Sequence, residues 1–254
     1  MTSKSSPILG IDTGGTFTDF VYLHQPGAKH QVQVHKVLST PHAPDEAILQ
    51  GIEEMALTES VRSGAILIIH GTTVATNAAL EGKGVRTAYI TNTGLADVLA
   101  IGRQTREELY NLTPDLPKVR FDPSLNLEVD VRLDAKGEVV TPLTPAALKK
   151  LEHDVKSLKP EAIAINLLFS YLDPADEMTI EALFQEHFFV SRSSFVLPEI
   201  NEYERGISTW VNSWIGPLIR DYLNSLQRSL APAPLAIMQS SGHTVASHLG
   251  GASG

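Results

Sequence analysis

The chain opens with two apolar runs and an alternating segment, a pattern that predicts three consecutive strands. Residues 8–12 form a short apolar run that ends in an aspartate, and residues 17–23 form a second run. Gly14 and Gly15 lie between the two runs and supply a tight turn. Residues 32–38 alternate apolar and polar positions, which is typical of a third, antiparallel strand.

Two later segments carry apolar residues at spacings of three and four, which predicts helices with one buried face. In the first, Asp45 is the candidate cap, and Ile48, Ile52 and Met55 share a face. The second is a long helix over about residues 201–230, where one apolar stripe recurs every four residues. That stripe consists of Trp210, Trp214, Leu218, Tyr222 and Leu226.

The remaining apolar runs predict strands that alternate with helices. Strands are predicted at residues 65–70, 85–91, 127–133, 162–168 and 235–239. Helices are predicted at residues 74–80, 145–158 and from 174 onward. Pro217 should bend the long helix, because its ring removes a backbone hydrogen bond one turn back. Such alternation predicts a sheet with helices packed on it.

The end of the chain breaks this pattern. The strand predicted at residues 235–239 has no element after it to serve as a partner, and the tail from Ser240 shows no periodicity. We therefore expect a truncated gene product, a frameshifted reading or an isolated piece.

Composition excludes several classes of protein. The chain has 254 residues, a formal net charge of −9, nine histidines and no cysteine. Without cysteine it has neither a disulfide framework nor a thiolate nucleophile, and the histidine spacing indicates no transition-metal site. The acidic balance and the lack of a basic patch argue against a nucleic-acid surface. No apolar run approaches the ~20 residues of a membrane span, and no signal peptide is recognisable, so we expect a cytoplasmic protein.

The first candidate for chemistry is the turn between the first two strands. Two glycines in a tight turn allow successive backbone amides to converge on one anion, such as a nucleotide phosphate. Asp12, at the end of the first strand, is well placed to hold the water shell of Mg²⁺. Hydroxyl donors at the same mouth come from Thr13, Thr16 and Thr18. An ordinary hairpin turn with Asp12 as a local cap is an equally open interpretation.

The second candidate lies where the strand ending at His70 meets a short helix. Such a junction presents unpaired amides and the positive end of a helix dipole, which suits an anion or a carbonyl oxygen. Polar groups that can face it are Thr72, Thr73 and Asn77. The alternative is a simple helix cap above a histidine satisfied in the core. Arg103, on a predicted loop, can clamp an oxyanion bidentately or be an ordinary solvated arginine.

These motifs carry a family resemblance. Residues 10–19 resemble the first phosphate motif of the actin-like ATPase and sugar-kinase superfamily, and Asp19 stands where sugar kinases usually have a basic residue. The whole run is similar to that of the hydantoinase A / 5-oxoprolinase family. Further matches to that family follow in order at residues 70–78, 101–104 with 109–110, 198–205 and 216–218.

The resemblance implies an α/β fold, an actin-like or ribonuclease H-like mixed sheet with flanking helices, plus the start of a second domain. It implies a hydantoinase/oxoprolinase N-terminal region at residues 6–190 and the beginning of a hydantoinase A catalytic domain at 191–240. Residues 241–254 form a divergent tail. Family chains run well past this length, and the second phosphate loop and adenosine pocket of the actin-like fold lie in a second half.

The resemblance also implies ATP and Mg²⁺ as cofactors and a cyclic amide, such as a hydantoin or 5-oxoproline, as substrate. Phosphate-binding roles fall on Asp12, Thr13, Gly14, Gly15, Thr16 and Thr18, with Asp12 also as the metal ligand. Contacts to substrate or to the transferred phosphoryl group fall on Thr72, Thr73, Asn77 and Arg103. No residue is assigned as a general base.

Three alternatives stay open at this stage. The preferred one is an ATP-dependent hydrolase by descent, active or inactive as it stands. The leading alternative is a non-catalytic fragment or subunit that needs a partner, such as a hydantoinase B-type subunit. Thirdly, it is a subunit of a ketone carboxylase.

The long helix begins with a polar segment of two interpretations, a solvated face or a set of site residues. Its members are Glu202, Glu204 and Arg205.

Overall fold

The computed structural model describes residues 6–24, 32–40, 43–103, 121–238 and 244–246. Its strands are β1 (Ile8–Thr13), β2 (Phe17–Leu23), β3 (Val32–Leu38), β4 (Leu67–Thr72), β5 (Thr87–Asn92), β6 (Asn126–Val129), β7 (Arg132–Leu133), β8 (Val139–Thr141), β9 (Ala162–Asn166), β10 (Phe189–Arg192), β11 (Leu235–Met238) and β12 (Thr244–Ala246). Its helices are α1 (Pro44–Glu54), α2 (Thr58–Arg62), α3 (Val74–Leu80), α4 (Val98–Ile101), α5 (Pro145–Leu158), α6 (Ala175–Phe184), α7 (Ser193–Val196) and α8 (Glu202–Leu230).

The chain divides into two compact units, and the first of them is made of two segments that are separated in the sequence. The first unit holds residues 1–78 and 218–254, and the second holds residues 79–217. These units are defined by contacts within the structure, whereas the boundaries at residues 190 and 240 were predicted from the family resemblance. Those two boundaries stay predictions.

The first unit is built on a six-stranded mixed sheet in the order β12-β11-β4-β1-β2-β3. The strands β1, β2 and β3 are antiparallel neighbours, as predicted, whereas β4 runs parallel to β1 and β11 runs parallel to β4. The core packs Leu9, Ile11 and Phe20 with Ile48 and Ile52 of α1 and the carboxyl-terminal turns of α8.

Two local predictions in this unit need correction. β11 has partners on both sides, because it pairs with β4 and with β12, a strand in the tail where none was expected. Asp45 is not the cap of α1, since the helix begins at Pro44 after Ala43 and has no side-chain cap. Proline at the first helical position loses no bond there, because that amide has no partner inside the helix.

The second unit is built on a parallel sheet in the order β10-β9-β5-β6. One cluster packs Ile90, Ile163 and Ile165 of this sheet with residues of α5 and α6. A second cluster packs Tyr89 and Ala164 with the stacked rings of Trp210 and Trp214. The strand predicted at residues 127–133 is interrupted between β6 and β7, and β7 forms a small hairpin with β8.

Most of the predicted stripe of α8 is buried, but Leu218 is 40% exposed. The bend predicted at Pro217 stays a prediction. None of the helices within the described ranges combines the length and apolar character needed to cross a membrane.

Candidate functional site

The structure brings the two candidate segments together at one edge of the first unit's sheet. β1 and β4 are parallel neighbours, so their carboxyl ends meet: Asp12 lies opposite Gly71 and Thr13 lies opposite Thr72. The approach is close, because a Cβ atom added at Gly71 would lie 3.4 Å from Asp12 Oδ1. The predicted phosphate turn and the predicted strand–helix junction therefore form one continuous site.

The turn itself is held by three hydrogen bonds. The Gly14 amide donates to the Phe17 carbonyl at 3.0 Å, and Ser39 donates from its amide to Thr16 O at 2.9 Å and from its hydroxyl to Gly14 O at 2.8 Å. Neither Gly14 nor Gly15 has a positive φ. Within the described residues the amides of Gly15 and Thr16 have no backbone partner. The amides of Gly15 and Thr16 are therefore available to an anion. The Gly14 amide is not, because it already donates to the Phe17 carbonyl.

The three threonines predicted at the mouth have different surroundings. Thr16 is exposed. Thr18 is fully buried, and its hydroxyl hydrogen-bonds with Ser39 Oγ at 3.0 Å, so it supports the turn from behind rather than standing at the mouth. Thr13 is 3% exposed, and its hydroxyl has no neighbour among the described residues at both the distance and the angle of a hydrogen bond.

Thr73 and Asn77 lie beside the turn. Thr73 donates to the Thr13 carbonyl from both its amide, at 3.2 Å, and its hydroxyl, at 3.3 Å. Asn77 Nδ2 donates to Thr73 Oγ1 at 3.4 Å and would lie 3.5 Å from a Cβ atom at Gly15. Both side chains are therefore placed against the glycine turn. Thr72 Oγ1 accepts from the Val74 amide at 3.1 Å, which begins α3.

Asp12 suits a magnesium ion that keeps most of its water ligands. Its carboxylate is exposed and makes no hydrogen bond or ion pair with the described residues. No group of three or more histidine or acidic side chains that could hold a metal occurs in the described part of the chain. A single carboxylate matches Mg²⁺, which is usually bound through one or two carboxylates together with water and substrate phosphates.

Below this edge a fully buried histidine and a partly buried tyrosine form a pair that the sequence did not reveal. His70 Nε2 and the Tyr222 hydroxyl lie 2.7 Å apart, and their rings meet edge to face. Burial lowers the pKa of His70 to about 4, partly opposed by the Ile11 carbonyl. Burial also raises the pKa of Tyr222, and the hydroxyls of Thr13 and Thr72 oppose that rise. At neutral pH both rings are therefore uncharged.

Arg103, the remaining predicted site residue, belongs to the second unit and is engaged in an ion pair. Its Nε donates to Glu204 Oε1 at 2.6 Å, and its Nη2 lies 2.5 Å from the same oxygen. Both donors meet one carboxylate oxygen, so the pair is not the two-oxygen bidentate form that Arg makes with an oxyanion. The neighbouring family match at residues 104 and 109–110 lies outside the described residues.

Arg205 is not part of a solvated face, which corrects that predicted alternative. It is fully buried, and its guanidinium donates to Asn166 Oδ1, to Ser193 Oγ and to two carbonyl oxygens. Glu177, also fully buried, accepts hydrogen bonds from the amide of Leu167 and from Ser193 Oγ, and its charge stabilises the guanidinium. The first turn of α8 is thus anchored to the end of β9.

Comparison with known proteins identifies the lineage of this arrangement. Residues 8–188 match the family model described as the hydantoinase/oxoprolinase N-terminal region. The chain belongs to the hydantoinase/oxoprolinase family. It is 30% identical to caprolactamase subunit alpha of Pseudomonas jessenii and 32% identical to 5-oxoprolinase 1 of Arabidopsis thaliana, over 94% and 91% of its length. It is 29% identical to the acetophenone carboxylase gamma subunit of Aromatoleum aromaticum over 82% of its length.

Solved structures agree with the predicted fold. The ATP-dependent caprolactamase of Pseudomonas jessenii superposes with a TM-score of 0.81 at 28% identity, covering 94% of this chain. Acetone carboxylase superposes with a TM-score of 0.80 at 23% identity and shows the fold alone. The predicted actin-like mixed sheet with flanking helices is confirmed. The chain spans only 36% of the caprolactamase subunit and 21% of the 5-oxoprolinase.

Proposed function

We propose that this chain holds the phosphates of Mg·ATP for an enzyme that opens a cyclic amide of the hydantoin or 5-oxoproline class. The observation that carries the proposal is the meeting of the exposed Asp12 carboxylate, the Gly14–Gly15 turn and Thr73 at one sheet edge. The family relationship supports it, since the relatives include a 5-oxoprolinase and a caprolactamase described as ATP-dependent.

Each part of the site has a distinct task in this proposal. The amides of Gly15 and Thr16 donate to phosphate oxygens, and Asp12 holds Mg²⁺ through its water shell. Thr73 and Asn77 orient the terminal phosphate or the amide carbonyl beside it. Bound ATP supplies the phosphoryl group that activates an otherwise unreactive carbonyl oxygen. Catalysis then consists mainly of positioning and of stabilising charge around the transferred group.

Thr18 has an altered role in the proposal, and Arg103 has to change its contacts. Thr18 keeps the turn in shape through Ser39 rather than touching phosphate. Arg103 keeps its proposed role as an oxyanion clamp, but its Nε–Nη2 edge has to leave Glu204 before that edge can bind an oxyanion bidentately. No residue of the described ranges is assigned as the general base.

Calorimetric titration with ATP, with and without Mg²⁺, tests the phosphate site directly. We expect magnesium-dependent binding that Asp12→Ala abolishes, because the carboxylate is the metal's only protein ligand in this proposal. Asp154→Ala on α5 removes the same charge from an exposed surface ion pair and should leave binding unchanged. Binding that persists in Asp12→Ala and does not depend on Mg²⁺ contradicts the assignment.

A second candidate function is a non-catalytic subunit that binds nucleotide only together with a partner. It is favoured by relatives whose names mark them as subunits, caprolactamase subunit alpha and the acetophenone carboxylase gamma subunit. It predicts no ATP binding until a partner, such as a hydantoinase B-type subunit, is added. With the partner present, ATP turnover stimulated by oxoproline, by a hydantoin or by a ketone separates the cyclic amide hydrolases from the carboxylases.

A further inference from the structure

A chain of two buried and two partly buried polar side chains lies beside the proposed phosphate site, and its task is not explained by packing. We name it the Thr–Tyr–His chain; it consists of Thr13, Thr72, Tyr222 and His70. His70 is fully buried and Thr13 is 3% exposed. The chain joins the last residues of β1 and β4 to the carboxyl-terminal half of α8, all within the first unit.

Two atoms of the chain, the Thr13 hydroxyl and His70 Nδ1, lack a complete hydrogen bond within the described residues. His70 Nδ1 has the Ile11 carbonyl beside it, so the hydroxyl of Thr13 is the member that needs an explanation. A buried hydroxyl without a complete hydrogen bond costs roughly 1–3 kcal/mol, and most buried polar atoms in proteins avoid this cost. Thr13 lies close enough to Tyr222 to act on its pKa, yet within the described residues its oxygen has no partner of full geometry. A valine would fill the same space without that cost, so packing alone does not account for the hydroxyl.

The hydrogen-bonding capacities in the chain determine what Tyr222 can do. A hydroxyl has one proton and two lone pairs, and Tyr222 uses only part of this capacity on His70. Thr72 Oγ1 already accepts from the Val74 amide, so its proton is available to Tyr222. Neutral His70 is fixed on β4 and cannot be displaced by water, because it is fully buried. Tyr222 is therefore held from below and faces the two threonines.

We propose that Tyr222 is a positioning residue that sets the hydroxyl oxygens of Thr13 and Thr72 to accept hydrogen bonds from a metal-bound water in the site above. The inference rests on the proposed function, because it concerns the same site. In this arrangement His70 orients Tyr222, and Tyr222 orients the threonine hydroxyls at the ends of the two strands. The unpaired hydroxyl of Thr13 is then the one that the metal-bound water completes.

The test is the affinity for Mg·ATP, measured by calorimetry on the full chain. Tyr222→Phe removes one oxygen and keeps the ring, and we expect Kd to rise on the order of fivefold, the effect of one neutral hydrogen bond. Thr13→Val should have a similar effect, and Thr13→Ser should restore affinity because it restores the hydroxyl. The double variant Tyr222→Phe/Thr13→Val should bind no more weakly than either single variant, because both remove the same contact.

The matched control is Tyr22→Phe. Tyr22 is a buried tyrosine of the same unit whose hydroxyl pairs with a histidine, His24, at 3.1 Å, but it has no contact with the two threonines. It should lose a comparable tyrosine–histidine bond without any change in Kd. Unfolding by urea, measured on all variants, separates this effect from a loss of stability.

The outcomes are separable. If wild type binds Mg·ATP and Tyr222→Phe binds equally well, the positioning role is wrong while the phosphate site stands. Additive losses of affinity in the double variant also overturn it, because Tyr222 would then act independently of Thr13. If wild type itself shows no binding, the proposed function fails first and the inference falls with it.

Discussion

The buried imidazole of His70 makes the stability of the fold depend on pH in a specific direction. Burial lowers its pKa from the ordinary 6.5 to about 4, so the folded chain keeps the ring neutral where the unfolded chain protonates it. The unfolded state then binds more protons, and the free energy of unfolding falls as the pH falls. Above about pH 6.5 the ring is neutral in both states and costs no stability. Below that pH the free energy of unfolding falls progressively, until the ring is also protonated in the folded chain at about pH 4.

The size of this effect follows from the same shift. One pKa unit corresponds to about 1.4 kcal/mol, so the full window between the two pKa values is worth about 3 kcal/mol. Between about pH 7.5 and pH 5, the part due to His70 alone is about 2 kcal/mol. Urea unfolding at these two pH values, followed by circular dichroism, measures it. His70→Gln should lower stability at neutral pH but should remove about this much of the pH dependence.

Comparing variants isolates this contribution, because all other titrating groups act equally in each protein. Tyr222→Phe keeps the imidazole and its burial, so it should retain the wild-type pH dependence. His153→Gln changes an exposed histidine on α5 and should also retain it. If His70→Gln shows the same loss of stability on acidification as wild type, then His70 is not held neutral by burial, and the uncharged Thr–Tyr–His chain is refuted.

Two further predictions concern packing. Replacing the buried Arg205 by methionine should lower the free energy of unfolding by roughly 3–5 kcal/mol, because it leaves Glu177 as an uncompensated buried charge. The control is Arg62→Met, which removes an exposed arginine and should change the free energy of unfolding by less than about 1 kcal/mol. Gly51→Ala should lower the free energy of unfolding by roughly 1–3 kcal/mol despite alanine's helix propensity, because the new Cβ atom would clash with the Phe20 ring. Urea unfolding measures all three variants. A Gly51→Ala protein more stable than wild type would contradict the packing described.

Much of the fold could be predicted because its signals are local. The bounds predicted for β2, β3, α3 and α5 are those of the structure, since apolar periodicity and helix-start residues are properties of neighbouring positions. The short β10 was missed because two of its four residues, Ser191 and Arg192, are polar and mask the apolar run. The partners of β11 were missed because strand pairing is decided between distant segments.

The candidate site shows the same limit. Asp12, the glycine turn and Thr73 could be singled out, because they stand at strand ends next to turn residues. Their meeting required the parallel register of β1 and β4, which separates paired residues by 59 positions, as for Asp12 and Gly71. Tyr222 was recognised only as a member of an apolar stripe. A tyrosine at a buried position usually has a hydrogen-bond partner, but that partner, His70, is 152 residues away.

The two buried polar clusters of the chain differ in a way that bears on function. Around Arg205, each nitrogen of the guanidinium and each oxygen of the Glu177 carboxylate has a hydrogen-bond partner, so this cluster anchors α8. Under the phosphate site, the Thr13 hydroxyl and His70 Nδ1 lack a complete bond within the described residues, and the hydroxyl lies on the last residue of β1. A saturated network fixes structure, whereas an unsaturated one at a strand end retains hydrogen-bonding capacity for a ligand. This difference, rather than burial or polarity alone, is the physical reason for placing function at the ends of β1 and β4.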